Sequence, residues 1–320
     1  MAAEAGPGWK PLGWNGVRLN VPAHWEVSRL GTSHLQLDDG SGPTLELKWQ
    51  GLSRPVSPEH HLKRLSRRFR HAGGIEFRER AVPDEWRAAL NRFTAEAFTW
   101  SEVRIRGEGV FLSCPICGTA TVLQFSYRLE SPSSPLAEEV LRSFRDHSDN
   151  GMVTWRLFGL HAEIPEDLRL EGHRFSPGHY ELRFARGRET LKLSRWGPAD
   201  VILRGRDLRR WFFATRESGR PGSWIDPSEV EYRGEVALEG KSRPGSGPLS
   251  RLRALFSLGD RYRRLRIWYG VHDNQIMGVE MGGPRWPDEG LFEEICGHYE
   301  VVSERELPDE EQRRPGAFPR

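Results

Sequence analysis

The sequence predicts an α+β protein of two tandem domains, each an antiparallel sheet with helices packed on it. Three observations carry that prediction. The two halves of the chain repeat one another in order, apolar residues alternate at period two in several short runs, and two segments per half switch to helical spacing. Gly16-Val-Arg-Leu-Asn-Val-Pro22 matches Gly159-Leu-His-Ala-Glu-Ile-Pro165, Thr44-Leu-Glu-Leu-Lys-Trp49 resembles Thr190-Leu-Lys-Leu-Ser-Arg-Trp196, and Leu136-Ala-Glu-Glu-Val140 matches Leu291-Phe-Glu-Glu-Ile295. Two copies are too few for a solenoid, so the repeat reads as a duplicated domain. The predicted domains are residues 1–148 and 149–305, joined near the polar stretch Asp146-His-Ser-Asp-Asn-Gly151, with residues 306–320 a disordered tail.

Each element has a local reason. Val17, Leu19 and Val21 alternate with Arg18 and Asn20, a strand stopped by Pro22. Leu35-Gln-Leu37 and Leu45-Glu-Leu47 flank the turn Asp38-Asp-Gly-Ser-Gly42 as a hairpin. Ser57-Pro-Glu offers a helix N-cap with Pro at the first helical position, Leu62, Leu65 and Phe69 follow at helical spacing, and Gly73-Gly74 stops the segment. Strands resume over Phe93–Trp100, Val103–Leu112 and Thr121–Tyr127, and a final helix sets Leu136, Val140, Leu141 and Phe144 on one face. In the second half Leu208, Trp211 and Phe212 mark the first helix, and Leu291, Ile295 and Cys296 the last.

The opening Gly-x-x-x-x-x-Pro-x-x-Trp at Gly16–Trp25 resembles that of the PsbP-like fold, and the order of strands and helices is similar in both halves. That fold is shared by an extrinsic photosystem protein, a Ran-binding nuclear-transport factor and bacterial domains that include secretion-effector chaperones. The second copy departs from the motif, with Leu168 where the Trp would stand. The resemblance implies a partner-binding domain without a shared set of catalytic residues.

Composition sets outer bounds. The 320 residues carry 47 Lys and Arg against 45 Asp and Glu, a net charge of +2, too balanced for a dedicated nucleic-acid binder. Only five of the basic residues are Lys, a bias that fits a GC-rich genome. The mean hydropathy of -0.63 and the lack of a long apolar run argue against a membrane span; the first residues have neither a basic start nor an apolar stretch, and three Cys are too few for a disulfide framework. A cytoplasmic protein is expected.

Cys114-Pro-Ile-Cys-Gly118 is the sharpest motif. Two thiolates two residues apart can grip one metal ion, and Gly after the second Cys permits a tight turn. Aligning Phe111–Phe125 with Ile267–Met281 puts the motif at a hairpin tip, where the second copy has His272-Asp273-Asn274. Strand residues follow it, which disfavours thioredoxin-like redox chemistry. Two readings stay open: a small apolar turn, or Cys114 and Cys117 as half of a structural zinc site. Tetrahedral zinc then needs two more ligands, either from the knuckle of a second chain in a homodimer, or from His272. Cys296 sits on the apolar face of the last helix and is expected in the core.

Hydrolase and phosphate-loop patterns are missing. Glu138-Glu139 and Glu293-Glu294 read as solvated helix faces, His60-His61 as a surface pair, and the basic Lys63, Arg64, Arg67, Arg68 and Arg70 as an outer helix face. The second half has an insertion over about 242–261. Its Arg251, Leu252, Leu255 and Phe256 are candidates to dock a protein partner, or to touch a membrane surface transiently, unless the segment folds back on its own domain. The leading expectation is a non-enzymatic binding or adaptor protein with a zinc knuckle. The alternative is an enzyme whose site is assembled from distant residues at the domain junction.

Overall fold

The computed structural model describes residues 8–52, 62–63, 66–67, 75–128, 136–216, 224–243 and 262–302. The chain divides into two units, residues 1–150 with 154–158, and residues 151–153 with 159–302.

The first unit opens with β1 (Trp9–Trp14) and β2 (Val17–Pro22), an antiparallel hairpin whose turn residues Asn15 and Gly16 both have positive φ. That is the backbone a two-residue hairpin demands, and Asn-Gly supplies it at low cost. β10 (Met152–Leu157) pairs with β1 at Gly13↔Arg156. A Cβ on Gly13 would stand 2.6 Å from the Thr154 carbonyl oxygen, so the approach needs glycine. A seven-stranded antiparallel sheet follows, built from β3 (Glu26–Gly31), β4 (His34–Asp38), β5 (Pro43–Gly51), β6 (Glu76–Arg80), β7 (Thr94–Ser101), β8 (Ile105–Ser113) and β9 (Thr119–Arg128), in the order β3-β4-β5-β9-β8-β7-β6. Leu35, Leu37, Leu45, Leu47, Leu123 and Phe125 project from it into one buried layer. α1 (Asp84–Ala89) brings Trp86 against Phe125, and α2 (Leu136–Ser143) buries Val140 and Leu141. On the opposite side Leu62 packs with Phe98 and Phe111.

In the second unit β11 (Leu160–Pro165) pairs with β19 (Glu300–Val301). β12 (Arg169–Ser176), β13 (His179–Arg186), β14 (Glu189–Trp196), β15 (Trp224–Tyr232), β16 (Glu235–Ser242), β17 (Tyr262–Gly270) and β18 (Gln275–Gly283) form a second seven-stranded antiparallel sheet, ordered β12-β13-β14-β18-β17-β16-β15. After α3 (Ala199–Leu203), α4 (Leu208–Arg216) presents Leu208, Trp211 and Phe212 to Leu238, Leu265 and Ile267. α5 (Glu289–His298) buries Phe292, Ile295 and Cys296, with the Asp288 carboxylate accepting from Leu291 N–H as its N-cap. β2 and β11 both end at proline, Pro22 and Pro165.

The α+β class does not hold. Of the described residues 56% lie in strands and 17% in helices, and three antiparallel sheets dominate the architecture. Helical spacing in the sequence marks short elements, from five residues in α3 to ten in α5. Strands such as β3 and β6 are mostly polar and half-exposed, so no apolar alternation distinguishes them. They extend each sheet at its edges through backbone hydrogen bonds.

Glu293 adds to a second expectation. It is exposed, as a solvated face predicts, yet it also accepts from Arg264 at 2.8 Å and from Arg266 at 2.6 Å. These two arginines of β17 are buried, with Glu239 of β16 as a further shared partner. The Arg264 guanidinium lies 4.3 Å from the Phe292 ring. Although burial opposes it, hydrogen bonding to Glu293 and Glu239 holds the Arg266 guanidinium above its usual pKa. Glu138 behaves as expected, pairing on the surface with Arg142 one turn along α2.

Candidate metal centre

The β8–β9 connection places both thiols. Cys114 N–H donates to Thr119 O at 2.9 Å and Gly118 N–H to Cys114 O at 3.1 Å, closing a tight loop at the hairpin tip. Gly118 has φ +71°, and Leu52 N–H donates to its carbonyl. The loop leaves Cys114 buried and Cys117 exposed.

Two further donors come from the segment after α2. Phe144 is fully buried at the helix end, and Arg145 then exchanges both backbone hydrogen bonds with Arg18 of β2, at 2.9 and 2.8 Å. This single bridge fixes the direction of the chain, and Asp146 and His147 follow at the knuckle. The ligand atoms of Cys114, Cys117, Asp146 and His147 lie within 4.8 Å of one another. Cys114 Sγ is 3.7 Å from His147 Nδ1, Cys117 Sγ is 3.3 Å from Asp146 Oδ2, and His147 Nδ1 is 2.8 Å from Asp146 Oδ1. Zinc–sulfur bonds of about 2.3 Å and zinc–nitrogen bonds of about 2.0 Å imply tetrahedron edges of roughly 3.5 Å. Two of the three separations fall close to that edge, and the third needs only a small opening.

The donor chemistry fits a cation as well. The Asp146 side chain is 1% exposed, and a carboxylate is costly to bury without a positive partner. Although Cys117 is exposed as a residue, partial desolvation of its sulfur where it meets Asp146 outweighs the hydrogen bonds from Thr119, and with the Asp146 carboxylate it pushes the thiol up to about 11. Thr119 Oγ1 stands 3.2 Å from Cys117 Sγ as an outer support.

The structure thus brings Cys114 and Cys117 together and supplies the missing pair from the same chain, so the set of four needs no second copy. His272 lies in the second unit, exposed in the β17–β18 turn, and is not part of the set. Cys296 is fully buried under α5, where burial pushes its thiol up to about 12. Arg251, Leu252, Leu255 and Phe256, His60-His61 and the tail lie outside the described residues. Asp146 and His147 went unrecognised because the stretch Asp146–Gly151 has the composition of a linker. Their signal was arithmetic: a lone Cys pair calls for two further donors.

No protein-family model matches the chain, and no curated protein matches it. Among solved structures it is similar to the Saccharomyces cerevisiae Ran-binding protein Mog1p, at 10% identity over 44% of this chain and 96% of that one, with a TM-score of 0.33. It is also similar to the immunity protein TplEi of the Pseudomonas aeruginosa T6SS, at 10% identity over 92% of this chain and 98% of that one, with a TM-score of 0.36. The complex of TplEi with an "L" peptide gives 11% identity over the same shares and a TM-score of 0.33. At that level of superposition the likeness decides nothing about this chain, whose function has to be argued from its own residues. No helix among the described residues is long and apolar enough to cross a membrane.

Proposed function

We propose that this chain is a non-enzymatic protein-binding adaptor made of two copies of one β-rich, PsbP-like domain, the first clamped by a structural zinc ion. The observation that carries the proposal is the convergence of Cys114, Cys117, Asp146 and His147. The four donors tie the β8–β9 tip to the end of α2, two places 29 to 33 residues apart in sequence. All valences of a tetrahedral ion are met by protein, which is the pattern of a structural rather than a catalytic zinc. The cytoplasm suits such a site, because reducing conditions keep its thiols free.

Register supports the duplication. Leu45 faces Phe125 across β5 and β9, and Leu191 faces Met281 across β14 and β18. The sequence repeat matches Leu45 with Leu191 through one segment and Phe125 with Met281 through another. Two independent sequence matches therefore agree with the pairing, in two sheets of the same strand order. The zinc set belongs to the first copy alone, as a specialisation of its hairpin tip.

Metal analysis of protein purified without added metal is the test. One equivalent of zinc per chain is expected, falling to a trace in Cys114→Ser/Cys117→Ser. Half an equivalent would mean a site shared between two chains. Protein without zinc, whose double variant melts like the parent, would reduce the motif to a turn. Capture from a native lysate should yield a protein partner, and a clean, partner-free preparation with turnover on a small molecule would overturn the adaptor reading.

A further inference from the structure

The four donors of the candidate metal centre differ in how far solvent reaches them. Cys114 is buried, the Asp146 side chain is 1% exposed and His147 is half-buried, whereas Cys117 is exposed together with Pro115 and Ile116 before it. Toward the interior Cys117 Sγ meets Asp146 Oδ2 at 3.3 Å, while its contact with Thr119 Oγ1 at 3.2 Å lies on the exposed side. The outer sulfur is open to a small solute, and the inner one is shielded.

The same loop keeps the two sulfurs as neighbours. Gly118 N–H donates to the Cys114 carbonyl at 3.1 Å, an i→i+4 turn with the form of one helical turn. Residues three apart in such a turn have Cβ atoms about 5–6 Å apart, and a disulfide wants about 3.8 Å. The ligand sulfurs already lie within 4.8 Å of each other. Bond formation therefore asks for a shift inside the loop and none of the strands that carry it. Cys296, the remaining cysteine of the chain, is fully buried in the second unit.

We infer that peroxide joins Cys114 to Cys117 as a disulfide and so releases the zinc, which makes the clamp a redox-controlled one. The inference rests on the zinc reading. Zinc holds both sulfurs as thiolates, the nucleophilic form. The Cys117 sulfur attacks one oxygen of hydrogen peroxide: an S–O bond forms, the O–O bond breaks, and the leaving hydroxide takes a proton to become water. The Cys114 thiolate then attacks the sulfenic sulfur. An S–S bond forms, the S–O bond breaks, and a second hydroxide leaves and is protonated to water. Two electrons have passed from the sulfur pair to peroxide. Zinc keeps only Asp146 and His147, half of its tetrahedron, and dissociates. The tie between the β8–β9 tip and the end of α2 goes with it. Two equivalents of glutathione reverse the step, giving back the dithiol and yielding glutathione disulfide.

The test uses the full chain loaded with zinc and exposed to a small excess of hydrogen peroxide, with catalase to stop the reaction. Released zinc is read with a colorimetric chelator, thiols are counted after denaturation, and the disulfide is located by mass spectrometry of unreduced peptides. One equivalent of zinc should appear while thiols fall from three to one, with the new bond between Cys114 and Cys117. Glutathione and added zinc should restore both counts. Cys296→Ser should release zinc as the parent does, its thiols falling from two to none; should it fail to fold, the peptide map of the parent makes the same assignment. Zinc release without the bond, a bond to Cys296 or to a second chain, or thiol loss that glutathione does not reverse would overturn the inference. Zinc-loaded protein that keeps its metal in peroxide refutes the switch and leaves the candidate metal centre standing. Protein that holds no zinc at the outset overturns both.

Discussion

Asp146→Asn should cost more stability with zinc bound than without it, and that dependence discriminates a metal ligand from a buried turn residue. The side chain is 1% exposed, with its carboxylate hydrogen-bonded to Cys117 and His147. Zinc at one hundred times its dissociation constant stabilises the folded state by about 2.7 kcal/mol. For a unit of this size, about 1 kcal/mol moves the melting midpoint by roughly 2–4 °C, so chelation should lower it by about 5–11 °C. Asparagine keeps an oxygen that can accept from His147 Nδ1 but gives zinc a much poorer ligand. The variant should therefore lose most of that increment in zinc on top of the about 1–6 °C it loses in chelator, the worth of one altered hydrogen bond of about 0.5–1.5 kcal/mol. Calorimetric melts of both proteins, zinc-loaded and chelator-treated, give the four numbers required. An equal loss in both states would make Asp146 a structural residue. A parent midpoint indifferent to chelator would refute the metal centre altogether.

Three further outcomes test the frame around it. Gly109→Ala places a Cβ 2.7 Å from the Leu123 carbonyl, which the β8–β9 ladder holds, so urea titration should show a loss of about 2 kcal/mol or more. Arg266→Ala leaves Glu239 only the longer 3.4 Å contact to Arg264 and should cost about 3 kcal/mol, whereas Glu138→Ala, which breaks a surface pair, should stay within about 0.5 kcal/mol of the parent in the same assay. Hydrogen bonding to Arg266 holds the Glu293 carboxyl below its ordinary value, so its contribution is present above the usual carboxylate range and lost as pH falls through the lowered one. Glu293→Gln should flatten the acid limb of stability against pH, modestly because Glu293 is partly exposed, and an unchanged limb would exclude that pair from acid unfolding.

Where the sequence could be read, apolar periodicity made it readable. Val17, Leu19 and Val21 are buried, Leu35 through Leu47 line the core of the first large sheet, and the Leu208, Trp211 and Phe212 face lies on the second. What it concealed were strands whose partners lie elsewhere in the chain. β6, with Phe77 among four charged residues, has no local pattern and exists because β7 pairs with it. The same blindness explains the class error: helix caps and heptad-like spacing are local signals, while polar edge strands are specified by their neighbours. It also explains Glu293. Its opposition to the apolar stripe of α5 suggested water, but Arg264 and Arg266 rise from β17 to meet it, and two arginines at alternate strand positions mark a face only once the sheet is known.

The candidate metal centre is the sharper case. Cys114 and Cys117 announce themselves by spacing, because a hairpin tip delivers both sulfurs at once. Asp146 and His147 are built from the residue types that linkers use, and they reach the site through two facts absent from any local window: Phe144 ends α2 in the core, and Arg145 locks onto Arg18. The repeat relates like positions to like, and so it points to His272 at the equivalent tip of the second copy. Ligands need proximity in space, and within one β-rich unit the neighbour of a hairpin tip is the chain that leaves the covering helix. A Cys pair at such a tip should therefore be matched first against donors just beyond the following helix. Moving Asp146 and His147 one residue along, by inserting an alanine after Arg145, would separate that rule from coincidence. The insertion should abolish zinc binding with all four donors still present, and retained stoichiometric zinc would show that the bridge to Arg18 does not set the site.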